Sequence, residues 1–427
     1  MRTCIFEDRR AAQLEPLTLT RPVFALTCGM TSLGEKQRRF SRVPGETGAL
    51  VRTLLADQVK SDYPFLHCND IDWLREATTL LINGRWLPPI QGGLPLETPH
   101  VGVIGKQVAY ALVPNHLLTY CSLNTLDDCL QAWRQTLPEH PAGGWMIDFP
   151  WELIEHNAAM IAADFATRLA GSTEPGHHPG SISLQGPKER LWVHDTAVVE
   201  PHVMADTRRG PIIIDREAQV QSFTRIEGPC YIGPRSVIAG AKLRSCSIGP
   251  VCRIGGEVEA SICHSHVNKY HEGFLGHSYV GEWVNIAAGV QVSDLRNDYQ
   301  TVRMTIDGNP VDTGLQKVGS FIGDHTKIGL GALLNTGTIV GIFSHLLPNG
   351  NYLPRRIPSY STVHRGQITT NEDLQALFMT AAEVLSRRGW SWTAERENLF
   401  RHIYHATAFE RRATHRLERR SELRQSA

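Results

Sequence analysis

The stretch Val220-Gln-Ser-Phe-Thr-Arg-Ile226-Glu-Gly-Pro-Cys-Tyr-Ile232-Gly-Pro-Arg-Ser-Val-Ile238 puts a branched apolar residue at every sixth position. Six fits neither the 3.6-residue period of an α-helix nor the two-residue period of a strand. It fits the triangular coil of a parallel β-helix, in which three hexads make one turn of about 18 residues and each apolar residue points inward. Working outward, the pattern starts at Ile214, slips near Leu243 and resumes at Ile248 and Ile254. It returns at Ile262, Phe274, Val280, Ile286 and Val292, and a last run covers Ile322, Ile328, Leu334, Val340 and Leu346. Glycine often follows directly, as in Ile232-Gly233, Val280-Gly281 and Ile322-Gly323, where a turn would use its tolerance of unusual dihedrals. A β-sandwich with coincidental spacing is the competing reading, and five successive hits in each of two separate runs argue against it.

On either side of the coil the pattern changes. Residues 1–150 mix short apolar runs with helix-like segments such as 50–59, which predicts an α/β domain of Rossmann-like type. Residues 151–190 read as an amphipathic helix, with Leu153, Ile154, Ala158, Ile161 and Phe165 on one side, followed by a Gly/Pro/Ser-rich linker over 171–187. The coil is expected over 191–360, and 361–427 reads as a helical segment with an Arg-rich end whose interleaved Glu410, Glu418 and Glu422 favour a solvated face over a nucleic-acid contact.

The 427 residues carry 43 Lys+Arg against 43 Asp+Glu, so no global field recruits nucleic acid or an anionic membrane. Nine cysteines, an odd number without CxxC spacing, in a chain lacking a recognisable secretory leader, predict a reduced, cytoplasmic protein. No apolar run approaches the roughly 18 residues needed to span a bilayer.

Within the coil, His271-Glu-Gly-Phe-Leu-Gly-His277-Ser-Tyr-Val-Gly-Glu-Trp-Val-Asn285-Ile-Ala-Ala-Gly289 interrupts the small apolar residues with two histidines. This segment resembles the acetyltransferase half of the bifunctional UDP-N-acetylglucosamine pyrophosphorylase/glucosamine-1-phosphate N-acetyltransferase family, in a variant branch with a divergent N-terminal domain. The resemblance implies a left-handed β-helix that forms a homotrimer, with acetyl-CoA bound between subunits and an amino-sugar phosphate as acceptor. It puts His271 at the family's catalytic histidine, a base for the attacking amine, and Asn285 at a sugar-contacting asparagine. An 18-residue turn would stack Gly289 beside His271 and leave a ligand room to approach. A satisfied turn histidine, or zinc held by Cys263, His264, His266, His271 and His277, are the plainer alternatives. The rhythm breaks over 294–319, a predicted loop-out whose Asn297, Tyr299 and Lys317 stand near the family's sugar-contacting Asn-Tyr pair and lysine. Where the family grips the sugar phosphate with a lysine, this chain has Ala260-Ser261, and Arg253 or Lys269 are the candidate substitutes.

The N-terminal likeness is looser. The strand Arg2-Thr-Cys-Ile-Phe6 runs on without the family's Gly-x-Gly-Thr-Arg signature, whose amides cradle nucleotide phosphates. The following segment resembles the continuation of that signature and nominates Arg21 and Lys36 as phosphate contacts for UTP or dTTP. At the family's magnesium-binding Gly-Asp pair stands Asn83-Gly84-Arg85, a poor donor set for Mg2+. Either carboxylates such as Asp70 or Asp72 rebuild that site, or the domain recognises a sugar nucleotide without making one. Three functions follow: an acetyl-CoA-dependent N-acetyltransferase joined to a nucleotidyltransferase-like domain; a sugar-1-phosphate nucleotidyltransferase with the coil as a trimerisation scaffold; and a non-catalytic sugar-nucleotide-binding regulator.

Overall fold

The computed structural model describes residues 1–171, 180–348 and 350–414. Residues 172–179 of the expected linker, and the Arg-rich end from 415 onward, lie outside the described residues.

The N-terminal sheet has seven strands: β1 (Arg2–Phe6), β2 (Thr47–Leu50), β3 (His67–Cys68), β4 (Thr79–Asn83), β5 (His100–Ile104), β6 (Gln107–Val113) and β7 (Glu139–Pro141). Their order is β7-β5-β6-β4-β1-β2-β3, parallel from β4 to β3 and antiparallel where β6 meets β4 and β5. β4 is buried along its whole length, as a central strand covered on both faces must be. Helix α1 (Leu33–Ser41) opens with a capping box from Ser32 and Glu35. Helix α2 (Pro150–Gly171) crosses from this domain to the coil and carries two buried polar residues on its packed face, Asn157 and Asp164.

From Ile182 onward the chain visits three ladders of parallel strands in rotation. Ladder A begins at Leu191–Val193, ladder B at Val198–Val199 and ladder C at Ile182–Gln185. The arrangement is compatible with the β-helix that the hexads predict, and its first strand, Ile182–Gln185, falls where the linker was expected. The inward residues of the three ladders form one continuous apolar core.

The turn length is not constant, and that shifts two expected core positions. Ile232 pairs with Ile248 and Ile248 with Cys263, turns of 16 and 15 residues. Cys263 therefore faces inward while Ile262 faces the N-terminal domain, and Leu275 takes the interior place expected of Phe274. A one-residue slip flips a strand residue to the other face. The glycines after the apolar positions also have a different cause from the one expected. None of Gly233, Gly281 and Gly323 has positive φ. They are small because the next turn comes close: a Cβ on Gly249 would lie 1.7 Å from the His264 carbonyl oxygen, and one on Gly281 2.2 Å from Asp324 Oδ1. The left-handed conformation falls two residues later, on Arg235, Val251, Trp283, His325 and Phe343.

The insertion at 294–319 is built as a hairpin, Arg303–Ile306 against Asn309–Asp312. Its Val302, Met304 and Ile306 pack with Tyr279, Phe321 and Ile339 on the outside of ladder A and with Ala11, Leu14 and Leu17 of the N-terminal domain. Helices α3 (Leu374–Ser386) and α4 (Ala394–Ala406) fold back so that Phe378 and Phe400 join Phe343 and Tyr360 of the coil and Leu55 and Val59 of the N-terminal domain. Among the described residues no helix is long and apolar enough to cross a membrane.

Candidate functional sites

His271 lies in the turn between ladders B and C. Its ring is exposed and meets Tyr270 edge to face, with centroids 5.7 Å apart. Lys269, proposed for a sugar phosphate, is turned the other way: it fills an interior position of ladder B, in register with Ile254. Only 1 % of it is exposed, and its ammonium donates to the carbonyls of Gly255 (2.7 Å), Gly273 (2.9 Å) and His271 (3.3 Å). Burial pulls its pKa down to about 8. Lys269 thus clamps the backbone that carries His271 and does not face substrate.

Register sets the neighbours of His271. Asn268 pairs with Asn285 and Gly273 with Val290, a 17-residue turn, so Gly289 stacks on Glu272, to whose carbonyl it donates at 2.8 Å, and not on His271. Asn285 accepts from Asn268 Nδ2 at 2.7 Å on the outer face of ladder B. The same row continues with Lys327 and His345, neither of which the sequence pattern singled out. Burial lowers the Lys327 pKa to about 8 while its ammonium donates to the Trp283 carbonyl at 2.7 Å, and burial, assisted by Lys327, lowers that of His345. The signal that could have found them is their outward place in the hexads, one residue before Ile328 and Leu346.

His277 sits at the opposite end of the ladder C strand Gly273–Gly276. Its Nδ1 lies 2.7 Å from Asp294 Oδ2, and its carbonyl accepts from Gly319 at 3.0 Å, so it ties together the two ends of the insertion. Asn297, Tyr299 and Lys317 are all exposed on this second edge, and Lys317 Nζ is 3.6 Å from Glu259 Oε1. His271 and Asn285 therefore share one edge, while Asn297, Tyr299 and Lys317 share another. Six residues of extended chain, about 20 Å, separate the two.

At the ends of the N-terminal parallel strands the chain uses its own charges. Glu7, which follows β1, accepts from the backbone amides of Val23 (2.9 Å) and Arg52 (3.0 Å) and from the Arg52 guanidinium (3.2 Å). A carboxylate of the protein thus takes amides of the kind a Gly-rich loop would offer to phosphates. Arg85 is fully buried and pairs with Asp8 and Asp148. Asn83 donates to Asp8 Oδ2 at 2.8 Å and to the Val108 carbonyl at 3.2 Å, so its amide is engaged inside the domain. Burial alone would push the Asp8 carboxyl up, but Arg85 and Asn83 hold it below the usual carboxylate range. A guanidinium between two carboxylates takes the place a divalent cation would need, so this donor set does not fit Mg2+. Asp70 caps the helix Ile71–Arg75 instead of joining Asp8. Among the described residues no three His, Cys, Asp or Glu side chains gather as a metal-binding group, which applies equally to the zinc alternative in the coil.

Two nominated phosphate contacts lie at internal interfaces. Lys36 pairs with Asp164 of α2 and donates to Thr31 Oγ1 at 2.7 Å. Arg21 pairs with Asp324 of the coil and lies 3.4 Å from Glu282. Further bonds join the two halves: Ser247 Oγ donates to the Gly29 carbonyl at 2.7 Å, and the Thr27 amide donates to the Tyr279 hydroxyl at 3.0 Å.

The chain is 33% identical over 152 residues to the bifunctional sugar-1-phosphate nucleotidylyltransferase/acetyltransferase of Sulfurisphaera tokodaii, a match covering 33% of this chain and 36% of that protein. The aligned part is thus about a third of the curated relative's length. Both similarities are to transferases, and the family model described as sugar nucleotidyl transferase matches residues 3–173, which span the seven-stranded sheet and α2.

Proposed function

We propose that this protein is a sugar-nucleotide biosynthesis transferase of the UDP-N-acetylglucosamine type, in which a left-handed coil transfers an acetyl group from acetyl-CoA to the amine of an amino-sugar phosphate. The observation that carries the reading is the two-edge arrangement. An exposed histidine, three residues beyond the Asn268 that pairs with Asn285, stands on one edge, and an aromatic, an amide and a cation stand on the other. A threefold assembly of parallel coils would bring the first edge of one chain to the second edge of its neighbour, and so complete a site that a single chain leaves split. In the step proposed, the amine nitrogen attacks the thioester carbonyl while His271 takes its proton; the tetrahedral intermediate then expels the CoA thiolate, which is protonated as the amide forms. Nine free thiols, eight of them buried, fit a reducing cytoplasm.

A second reading, nucleotidyl transfer with the coil as scaffold, is favoured by the family match over residues 3–173. Against it stand Glu7 and Arg85, which occupy the strand ends with internal charges. Subunit mixing tests the first reading. His271→Ala and a Tyr299→Ala/Lys317→Ala variant should each be nearly inactive in acetyl transfer from acetyl-CoA to glucosamine 1-phosphate, and co-refolded mixtures should regain activity because some sites then combine two intact edges. Inactivity of the mixture, or a monomer by light scattering, would sink the proposal.

A further inference from the structure

One cavity belongs to neither of these sites. It is a crevice of about 620 Å³ between the N-terminal sheet and the coil, within the size range of small-molecule sites. Its walls are mostly small and aliphatic residues, with a few aromatic rings among them: Phe24 and Tyr63 from one domain, Tyr231 and His266 from the coil, and Trp390 from the segment after α3. At the rim stand Arg38 of α1 and Arg235 of the coil, both exposed and without a carboxylate partner among the described residues. Glu35 of α1 and Glu282 of the coil also line the crevice, so the two unpaired guanidinium groups are set against two carboxylates, one of which, Glu282, already faces Arg21. Burial pulls His266 down to about 4 although Glu282 opposes it, and Arg388 and Arg235 add to the lowering.

A second chamber of about 130 Å³ adjoins the first and shares Ala25, Tyr63, His264 and Glu282 with it. Here three side chains, each more than nine-tenths buried, have a polar atom with no partner: Arg21 Nη1, His325 Nδ1 and Gln58 Oε1. Buried polar atoms are rarely left unpaired, and three around one chamber indicate a group that is meant to meet them. That group is neutral, because Glu282 and Asp324 would repel an anion and already neutralise Arg21. His325, held neutral by burial, can donate or accept, while Gln58 Oε1 accepts and Arg21 Nη1 donates. The site thus has a mixed donor–acceptor chamber at its end, a few aromatic rings along its length and two guanidinium groups at its mouth.

We propose that this interdomain crevice binds a nucleoside diphosphate or its sugar ester, with a neutral ring in the chamber of Arg21, Gln58 and His325 and the diphosphate at Arg38 and Arg235. The site is separate from both the strand ends and the His271 edge, and the proposal does not depend on acetyl transfer. Because its walls come from both domains, an occupant favours the docked arrangement and links nucleotide level to the geometry of the coil.

Isothermal titration of the full chain with UDP, UDP-N-acetylglucosamine, GDP and ADP, with inorganic phosphate as comparator, tests it. At least one nucleotide should bind saturably with one site per chain, more tightly than phosphate. Arg38→Glu/Arg235→Glu should weaken it by about tenfold or more for each arginine, and Arg235→Gln alone, a milder change of an exposed side chain, by about tenfold. Hydrogen exchange with the bound nucleotide should slow in Leu33–Ser41 and around Tyr231. Absence of saturable binding by all four nucleotides overturns the proposal, as does binding no tighter than that of phosphate. Affinity unchanged in both variants, or protection confined to the strand ends at Glu7 and Arg85, overturns it equally.

Discussion

Replacing Lys269 by Met separates the cost of a buried cation from its use as a clamp. The ammonium lies in the interior row of ladder B, and burial lowers its pKa from 10.5 to about 8. In the unfolded chain it stays protonated up to about pH 10.4. Below pH 8 both states carry the proton, and the native state bears the whole penalty, about 3 kcal/mol. Between pH 8 and 10.4 the unfolded state binds more protons than the native state, so this position stabilises progressively as pH rises, by about 2 kcal/mol at pH 9.5. Methionine has no such dependence. Buried thiols such as Cys4, Cys28 and Cys121, raised mainly by burial, act in the opposite direction above about pH 8.5, but equally in both proteins. The quantity to measure is therefore the difference in unfolding free energy between wild type and Lys269→Met, by urea titration at pH 7.0 and 9.5. It should move toward the wild type by about 2 kcal/mol. A difference that stays constant would mean that the ammonium is solvated and the interior placement wrong. Because three carbonyls around His271 and Gly273 lose their donor, acetyl transfer should fall in Lys269→Met whichever protein is the more stable.

His271→Ala should leave assembly and acetyl-CoA affinity near normal while kcat for acetyl transfer falls by about 10² to 10⁴. His277→Ala, which unties the base of the insertion, should instead raise KM for the sugar with kcat within about tenfold of wild type; equal kcat losses in the two variants would contradict separate roles. Arg85→Met removes the buried guanidinium from Asp8 and Asp148, which keep Asn83, Gln107 and the exposed Arg10, and should cost about 3 kcal/mol in urea unfolding at pH 7, with Asp8→Asn restoring part of it; a cost under about 1 kcal/mol would contradict the buried pairing. Gly249→Ala drives a Cβ into the His264 carbonyl and should lower Tm by more than about 5 °C, whereas a neutral result would mean that the turns are spaced more widely than described.

How far the sequence could be read depended on whether a residue's partner lay at a fixed spacing. The hexads of Ile226, Ile232 and Ile238 mark the interior because each stacks on a residue one turn away. The reading failed at Ile262 and Phe274, where turns of 15 and 17 residues shift the register and nothing local announces it. Lys269 was hidden for a related reason: a lysine in an apolar row looks like a surface residue until the carbonyls that satisfy it are placed. The insertion over 294–319 was marked by the break in the hexads, and its hairpin was legible as well. Val302, Met304 and Ile306 alternate with Arg303 and Thr305, and Asp307-Gly308 supplies two positive-φ residues for the hairpin turn. The crevice was not legible at all, since Arg21, Gln58 and His325 converge only once the domain and the coil have docked.

The strand ends of the N-terminal domain bear on how its nucleotidyltransferase likeness is understood. A phosphate-binding loop works because several amides point at an empty space and wait for an anion. Here Glu7 supplies that anion from within, holding the amides of Val23 and Arg52 together with the Arg52 guanidinium. Arg85 likewise supplies the cation that the facing carboxylates Asp8 and Asp148 require. An incoming nucleotide would have to displace a buried carboxylate, and an incoming metal a buried guanidinium, each held by several charge-assisted hydrogen bonds at a cost of several kcal/mol. The charges at the strand ends are therefore satisfied from within the chain. Three unmatched polar atoms, on Arg21, Gln58 and His325, meet instead in one chamber of the coil-facing crevice. A domain with satisfied strand ends and an unsatisfied coil-facing crevice is suited to sensing a nucleotide at a place apart from the edge on which His271 is exposed.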